Sequence, residues 1–157
     1  MLLSNRSNES NFKILQKNIA LNQADGVIVP NMEAIYTSEG EQEFFLSGQA
    51  YAHSLVKEQL YGASVGSQRV PCTTIENVIK KYALEMVDLL KLDIEGSEYE
   101  VLYTLPVALY KKIRNIVLEI HEHSQYSRED LVQFLQARGY HVLISPMNSH
   151  VYSVTRK

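Results

Sequence analysis

Apolar positions along the chain recur with two different periods. From Phe12 they fall at Leu15, Ile19 and Ala20, one face of a helix, while Lys13, Gln16, Lys17 and Asn18 take the other. The polar run over residues 4–11 reads as the loop entering that helix, with Asn8 or Ser10 placed to cap it and Asp25-Gly26 ending the segment. Leu2 and Leu3 are placed to close a strand ahead of the loop. Val27-Ile28-Val29 is a continuous apolar run after a turn signal, the pattern of a strand buried on both faces of a parallel sheet.

Residues 34–37 and 43–46 flank Ser38-Glu39-Gly40-Glu41 and predict a hairpin with a glycine turn. Residues 47–67 carry Gly48, Gly62 and Gly66 without a sustained period, so they predict a mobile or ligand-facing loop, with a short helix over 54–60. Thr73 and Thr74 can cap a helix whose inner face is Val78, Ile79 and Tyr82. A strand over 87–92 follows. Helical spacing then returns over 98–105 through Tyr99, Leu102 and Leu105, with Glu98 and Glu100 favoured in the first turn by the helix dipole and Pro106 interrupting the run. Residues 113–120 predict a strand, and 128–137 a helix with Leu131, Phe134 and Leu135 inward and Arg138-Gly139 at its end. Strands over 140–145 and 150–154 flank Pro146-Met147-Asn148-Ser149 as a closing antiparallel hairpin. Strands alternating with helices predict an α/β open sheet covered on both faces, in which ligands lie beyond the carboxyl ends of the parallel strands.

Composition narrows this picture. At 157 residues and 45% hydrophobic, residues 1–157 are expected to form a single domain with one core. Fifteen basic against 18 acidic residues, a net charge of −3 and no basic block argue against a nucleic-acid partner held by phosphate neutralisation. Cys72 is the single cysteine, which excludes an intramolecular disulfide and a cysteine zinc cage. No apolar run approaches the roughly 20 residues that span a bilayer, so no membrane partner is expected. Met1-Leu2-Leu3 is too short for a signal-peptide core; a cytoplasmic protein is expected, in which the sequons at Asn5 and Asn8 are chance matches.

The chemistry-bearing residues gather at two strand ends: Asp93 and Glu95 after one, Glu119, His121 and His123 at the next. Side chains two apart on a strand share a side and neighbouring strands lie about 5 Å apart, so adjacent strands would bring Asp93, Glu95, Glu119 and His121 into one small volume. Three carboxylates and an imidazole in a partly dry pocket need a cation, a proton or a hydrogen-bonding ligand to compensate them. The cluster is therefore a site candidate, open to three readings: carboxylates holding a divalent cation, Asp93 holding a ligand's ammonium group, or His121 acting as general base toward a hydroxyl. Against these stands a plainer one, in which Glu95 and Glu98 serve helix capping and the dipole while His121 and His123 begin a polar loop. Cys72 follows Pro71 with no nearby histidine, so it offers no activated nucleophile. None of the seven glycines stands in a G-x-G arrangement, which leaves no dinucleotide fingerprint and no P-loop.

The stretch L-L-K-L-D-I-E-G-S-E-Y-E-V-L over residues 89–102 closely resembles the signature of the FkbM family of S-adenosylmethionine-dependent methyltransferases. Around it, F-K-I-L-Q-K-N-I-A-L-N over 12–22 is similar to the family's helix after its second strand. The N-x-x-A over 31–34 is similar to its post-strand motif, and Thr73-Thr74-Ile75 to the lead into the signature. I-V-L-E-I-H over 116–121 and L-Q-A-R-G-Y-H-V over 135–142 are similar to its later strand and G-Y turn. The resemblance spans roughly residues 7–143.

It implies the class I methyltransferase, Rossmann-like open sheet and methyl transfer from S-adenosylmethionine to a hydroxyl of a sugar or natural-product-like small molecule. Carried over by position, Asp93 and Glu95 line the pocket near the methionine end of the cofactor, Glu33 lies near the adenine, and Glu119 and His121 stand on the acceptor side, with His121 as base. No metal is implied. The resemblance also implies a departure. The family's first strand and glycine-rich turn have no counterpart, and its ribose-binding E-P aligns with Arg6 and Ser7, an arginine that cannot accept hydrogen bonds. The chain therefore resembles the C-terminal part of a family member, N-terminally truncated. The alternative it leaves open is a non-catalytic remnant acting through self-association or a partner chain.

Overall fold

The computed structural model describes residues 1–48, 53–57 and 63–156. It is a mixed α/β fold with open sheets and no closed barrel among the described residues. The first unit is β1 (Leu2–Asn5), α1 (Glu9–Leu21) and β2 (Ile28–Asn31), with β1 and β2 paired in parallel. Asn8 caps α1 by accepting from the Asn11 amide, and the helix gives way at Gln23, whose φ of 54° is left-handed. The expectation of a strand buried on both faces is corrected: β2 is half-buried along its length and Val27 lies exposed before it.

The next three strands are β3 (Ala34–Ile35), β4 (Gly40–Ser47) and β5 (Ser64–Thr73). Here the predicted hairpin is corrected. β3 and β4 do not pair with each other; β5 lies between them, parallel to β3 and antiparallel to β4. Residues 64–67, expected in a loop, belong to β5. The exposed first half of β5 (Ser64, Val65, Gly66, Ser67) shows no alternation to reveal a strand; pairing with β4 makes it one. Of the short helix expected over 54–60, residues 58–60 lie outside the described residues, and Ser54 pairs with Phe45 in an isolated bridge.

The remainder follows the predicted order. α2 (Ile75–Lys81) is capped by Thr74, which accepts from the Asn77 amide, and leads to β6 (Val87–Leu92). α3 (Glu98–Thr104) and α4 (Val107–Tyr110), split at Pro106, connect β6 to the parallel strand β7 (Ile113–Glu119). Then come α5 (Arg128–Ala137), β8 (Tyr140–Ile144) and β9 (Val151–Arg156), and Gly139 at φ 86° ends α5. The closing hairpin is present, and β9 inserts antiparallel between β7 and β8, giving the order β6-β7-β9-β8.

The main core packs α2, α3, α4 and α5 onto this sheet, with Tyr99, Leu102, Ile113, Ile116, Leu118, Leu131, Leu135 and Val154 fully or almost fully buried. Tyr140 reaches through it to the carbonyls of Tyr110 and Ile113, at 2.9 and 2.8 Å, placing its hydroxyl among acceptors despite complete burial. A smaller cluster of Ala34, Phe44, Val70 and Cys72 lies on the three-stranded sheet. Neither cluster contains a residue of β1, α1 or β2. Among the described residues no helix is long and apolar enough to cross a membrane.

Candidate active site

The carboxyl ends of β1, β2 and β6 open onto one cavity of about 470 Å³, a volume suited to a small molecule. Asn5, Arg6 and Ser7 line it from the end of β1, Glu33 from beyond β2, and Asp93, Ile94 and Glu95 from beyond β6. Glu33 is half-buried and sits 3.7 Å from the Lys81 ammonium of α2. Asp93 pairs with Lys91 at 2.8 Å.

Beyond β6 the chain must turn sharply to enter α3, and Glu95 at φ 53° and Gly96 at φ 96° make that turn in left-handed backbone. Glu98, wholly buried in the first turn of α3, holds it from inside: its carboxylate accepts from the Ile94 and Gly96 amides, each at 3.0 Å. The same carboxylate receives Nδ1 of His121 at 3.0 Å. Because β7 lies directly beside β6, the residue that follows Ile120 reaches the Asp-Ile-Glu-Gly turn, and Tyr99 clamps it there by donating to the His121 carbonyl at 3.0 Å. Nε2 of His121 then lies 3.4 Å from Glu95.

Asp93, Glu95 and His121 thus bring one ligand atom each within 4.8 Å of the others. A cation could be held at that spacing, but grouped carboxylates are common without one and no other observation points to a metal. Glu119 stands close enough for its charge to act on both Glu95 and His121. Neither His121 nor Glu119 lines the cavity itself; Glu95, which does, stands between it and the imidazole. His123 turns away into an aromatic cluster with Tyr99 and Tyr126, 3.1 Å from Glu100.

Electrostatics reflects this crowding. Burial raises the pKa of Glu95, helped by the charges of Asp93, Glu98 and Glu119 and opposed by His121. For His121 burial disfavours the charged ring, but the Glu98 hydrogen bond and the charges of Glu98, Glu95 and Glu119 outweigh it, and the net direction is upward. Of the predicted cluster, Asp93, Glu95 and His121 come together, Glu119 acts on Glu95 and His121 through its charge, and Glu33 lines the same cavity as Asp93 and Glu95. The residue that sequence reasoning missed is Glu98. Its position in a first helical turn reads as a dipole partner, and only the E-x-x-E spacing from Glu95 across a glycine turn hints at another use.

Comparison with known proteins identifies the family. Residues 3–142 match the Methyltransferase FkbM domain, and the chain belongs to that methyltransferase family. Over 74 residues, 45% of this chain, it is 38% identical to the AMB antimetabolite synthetase AmbE of Pseudomonas aeruginosa. The matched segment is 4% of that much longer protein. No solved structure matches. FkbM methyltransferases generally use S-adenosylmethionine.

Proposed function

We propose that the chain binds S-adenosylmethionine in the 470 Å³ cavity and methylates a hydroxyl of a sugar or natural-product-like small molecule. The observation that carries this reading is the carboxylate and imidazole cluster at the ends of β6 and β7, opening through Glu95 onto that cavity. The lining residues fit such a cofactor. Asp93 and Glu95 form an acidic wall for its ammonium and sulfonium charges, and Arg6, a donor only, suits a carboxylate. Glu33 and the Asn5 amide oxygen line the same cavity and can accept from a ribose hydroxyl. When bound, the cofactor supplies a methyl group on a positively charged sulfur, open to attack by an oxygen nucleophile.

The residues of this chain then do the rest. Nε2 of His121 takes the proton of the acceptor hydroxyl as its oxygen attacks, and Glu119 and Glu95 stabilise the imidazolium that results. An acceptor entering this site takes the place of the Glu95 contact at Nε2. The ring is partly exposed, which leaves a way in. Calorimetric titration of the folded chain with S-adenosylmethionine and S-adenosylhomocysteine tests the reading. Micromolar binding is expected, and a well-folded chain that binds neither overturns it.

A second reading is favoured by one feature. Among the described residues β1 and β6 each have a hydrogen-bonded neighbour on one side only, and Leu2, Val27 and Leu89 lie exposed on or beside those strands. Open strand edges with apolar neighbours are templates for another chain, so self-association or a partner strand would serve a non-catalytic module.

A further inference from the structure

We propose that Glu98 is a positioning residue for His121: its buried carboxylate holds the imidazole as the Nδ1–H tautomer and leaves Nε2 as the basic nitrogen directed at Glu95 and at an entering acceptor. In naming an acceptor this rests on the methyl-transfer reading; the arrangement itself rests on geometry alone.

Three observations make the arrangement specific. Glu98 is wholly buried, and its carboxylate meets protein groups at both oxygens. Ile94 and Gly96 already donate into its two oxygens from the backbone. A carboxylate so placed can only accept, so the His121 nitrogen that meets it at 3.0 Å carries the proton. Neutral imidazole has one protonated nitrogen, and fixing Nδ1–H makes Nε2 the acceptor. The His121 main chain is fixed independently by the Tyr99 hydroxyl, so ring and backbone are held from two successive residues of α3.

The same carboxylate shapes the turn carrying Glu95. One buried charge therefore sets both the base and the acidic residue facing it. This differs from a capping role, which would involve amides alone. The groups that face the His121 ring are Glu95 and Asp93 from the turn, Glu98 from α3 and Glu119 from β7. With acids on every side, the Nε2 proton comes and goes against a background that favours holding it. Glu98 is the member of that set bonded to the opposite nitrogen.

The test uses nitrogen-15 NMR of the histidine rings in the full chain, with His121 assigned by its loss in His121→Gln. Above its titration, wild-type His121 is expected as the Nδ1–H tautomer. In Glu98→Gln its pKa is expected to fall by about one unit or more, as removal of a neighbouring opposite charge requires. A wild-type ring found as the Nε2–H tautomer overturns the proposal, and so does a folded Glu98→Gln chain in which His121 titrates as in wild type. Should Glu98→Gln fail to melt cooperatively, the wild-type tautomer decides alone. Because the readout is a ring nitrogen, a failure of cofactor binding leaves this result standing, and a failure here leaves cofactor binding untouched.

Discussion

The Ser54 hydroxyl donates to the backbone carbonyl of Glu95 across 2.6 Å, joining two segments 41 residues apart in the chain. Ser54 is itself bridged to Phe45 of β4 by a pair of backbone hydrogen bonds. The three-stranded sheet is thereby tied to the one residue of the site turn that is left-handed without being glycine. The Ser54 hydroxyl oxygen also accepts from the Val56 amide at 3.0 Å, so the hydroxyl both donates and accepts. Ser54→Ala removes a buried donor and is expected to cost about 1–2 kcal/mol, measured as a lower urea midpoint at unchanged slope. A variant as stable as wild type would mean that the Glu95 turn is held by Glu98 alone.

Stability should fall as pH rises through the titration of the site. Glu95 and His121 both have folded pKa values above their ordinary 4.5 and 6.5. A group with a raised pKa binds its proton more tightly when folded. Its stabilising contribution is complete below the unfolded pKa and is lost as pH passes through the folded one. The loss therefore begins above about 4.5 for Glu95 and above about 6.5 for His121. Thermal melts from pH 4 to 9 should decline across this range, and His121→Gln should flatten the upper part. An unaltered profile in that variant would assign the dependence elsewhere.

Asp93→Asn separates binding from folding. Asp93 is 38% exposed and its partner Lys91 lies at the surface, so the melt should shift by no more than about 0.5 kcal/mol. Loss of a charged acceptor for the cofactor's ammonium group should weaken S-adenosylhomocysteine binding about tenfold or more. Equal affinities by calorimetry would remove Asp93 from the binding wall.

The open edge of β6 has its own test. Leu89 is 58% exposed on that strand. Self-association should appear as a concentration-dependent sedimentation coefficient, and Leu89→Lys should return the chain toward monomer, since a charged residue on an edge disfavours strand pairing. A wild-type chain monomeric at every concentration would set aside self-association.

Most of the secondary structure could be read along the chain because local rules agreed with burial. β6, β7 and α5 lie where alternation and helical spacing put them, and Thr74 and Asn8 cap as their side chains suggest. β5 was hidden because Val65 and Gly66 face solvent at its start and Pro71 interrupts its inner half; its identity comes from neighbours on both sides. The site shows the same division. Asp93, Glu95 and His121 were marked by spacing at two strand ends. The role of Glu98 depends on an imidazole 23 residues onward, and no local pattern carries that information.

The position of β9 has a consequence for how the chain acquires its structure. β8 is made before β9, yet its described pairing is with β9 alone, while β9 also pairs with β7. A growing chain that has completed β8 has no bonded place for it on the sheet. Tyr140, at the first position of that strand, must wait for its backbone partner Arg156 even though its hydroxyl acceptors, Tyr110 and Ile113, already exist. Closure of the sheet is thus a late event in synthesis, and a nascent chain stalled within residues 145–150 would hold β7 with one bare edge.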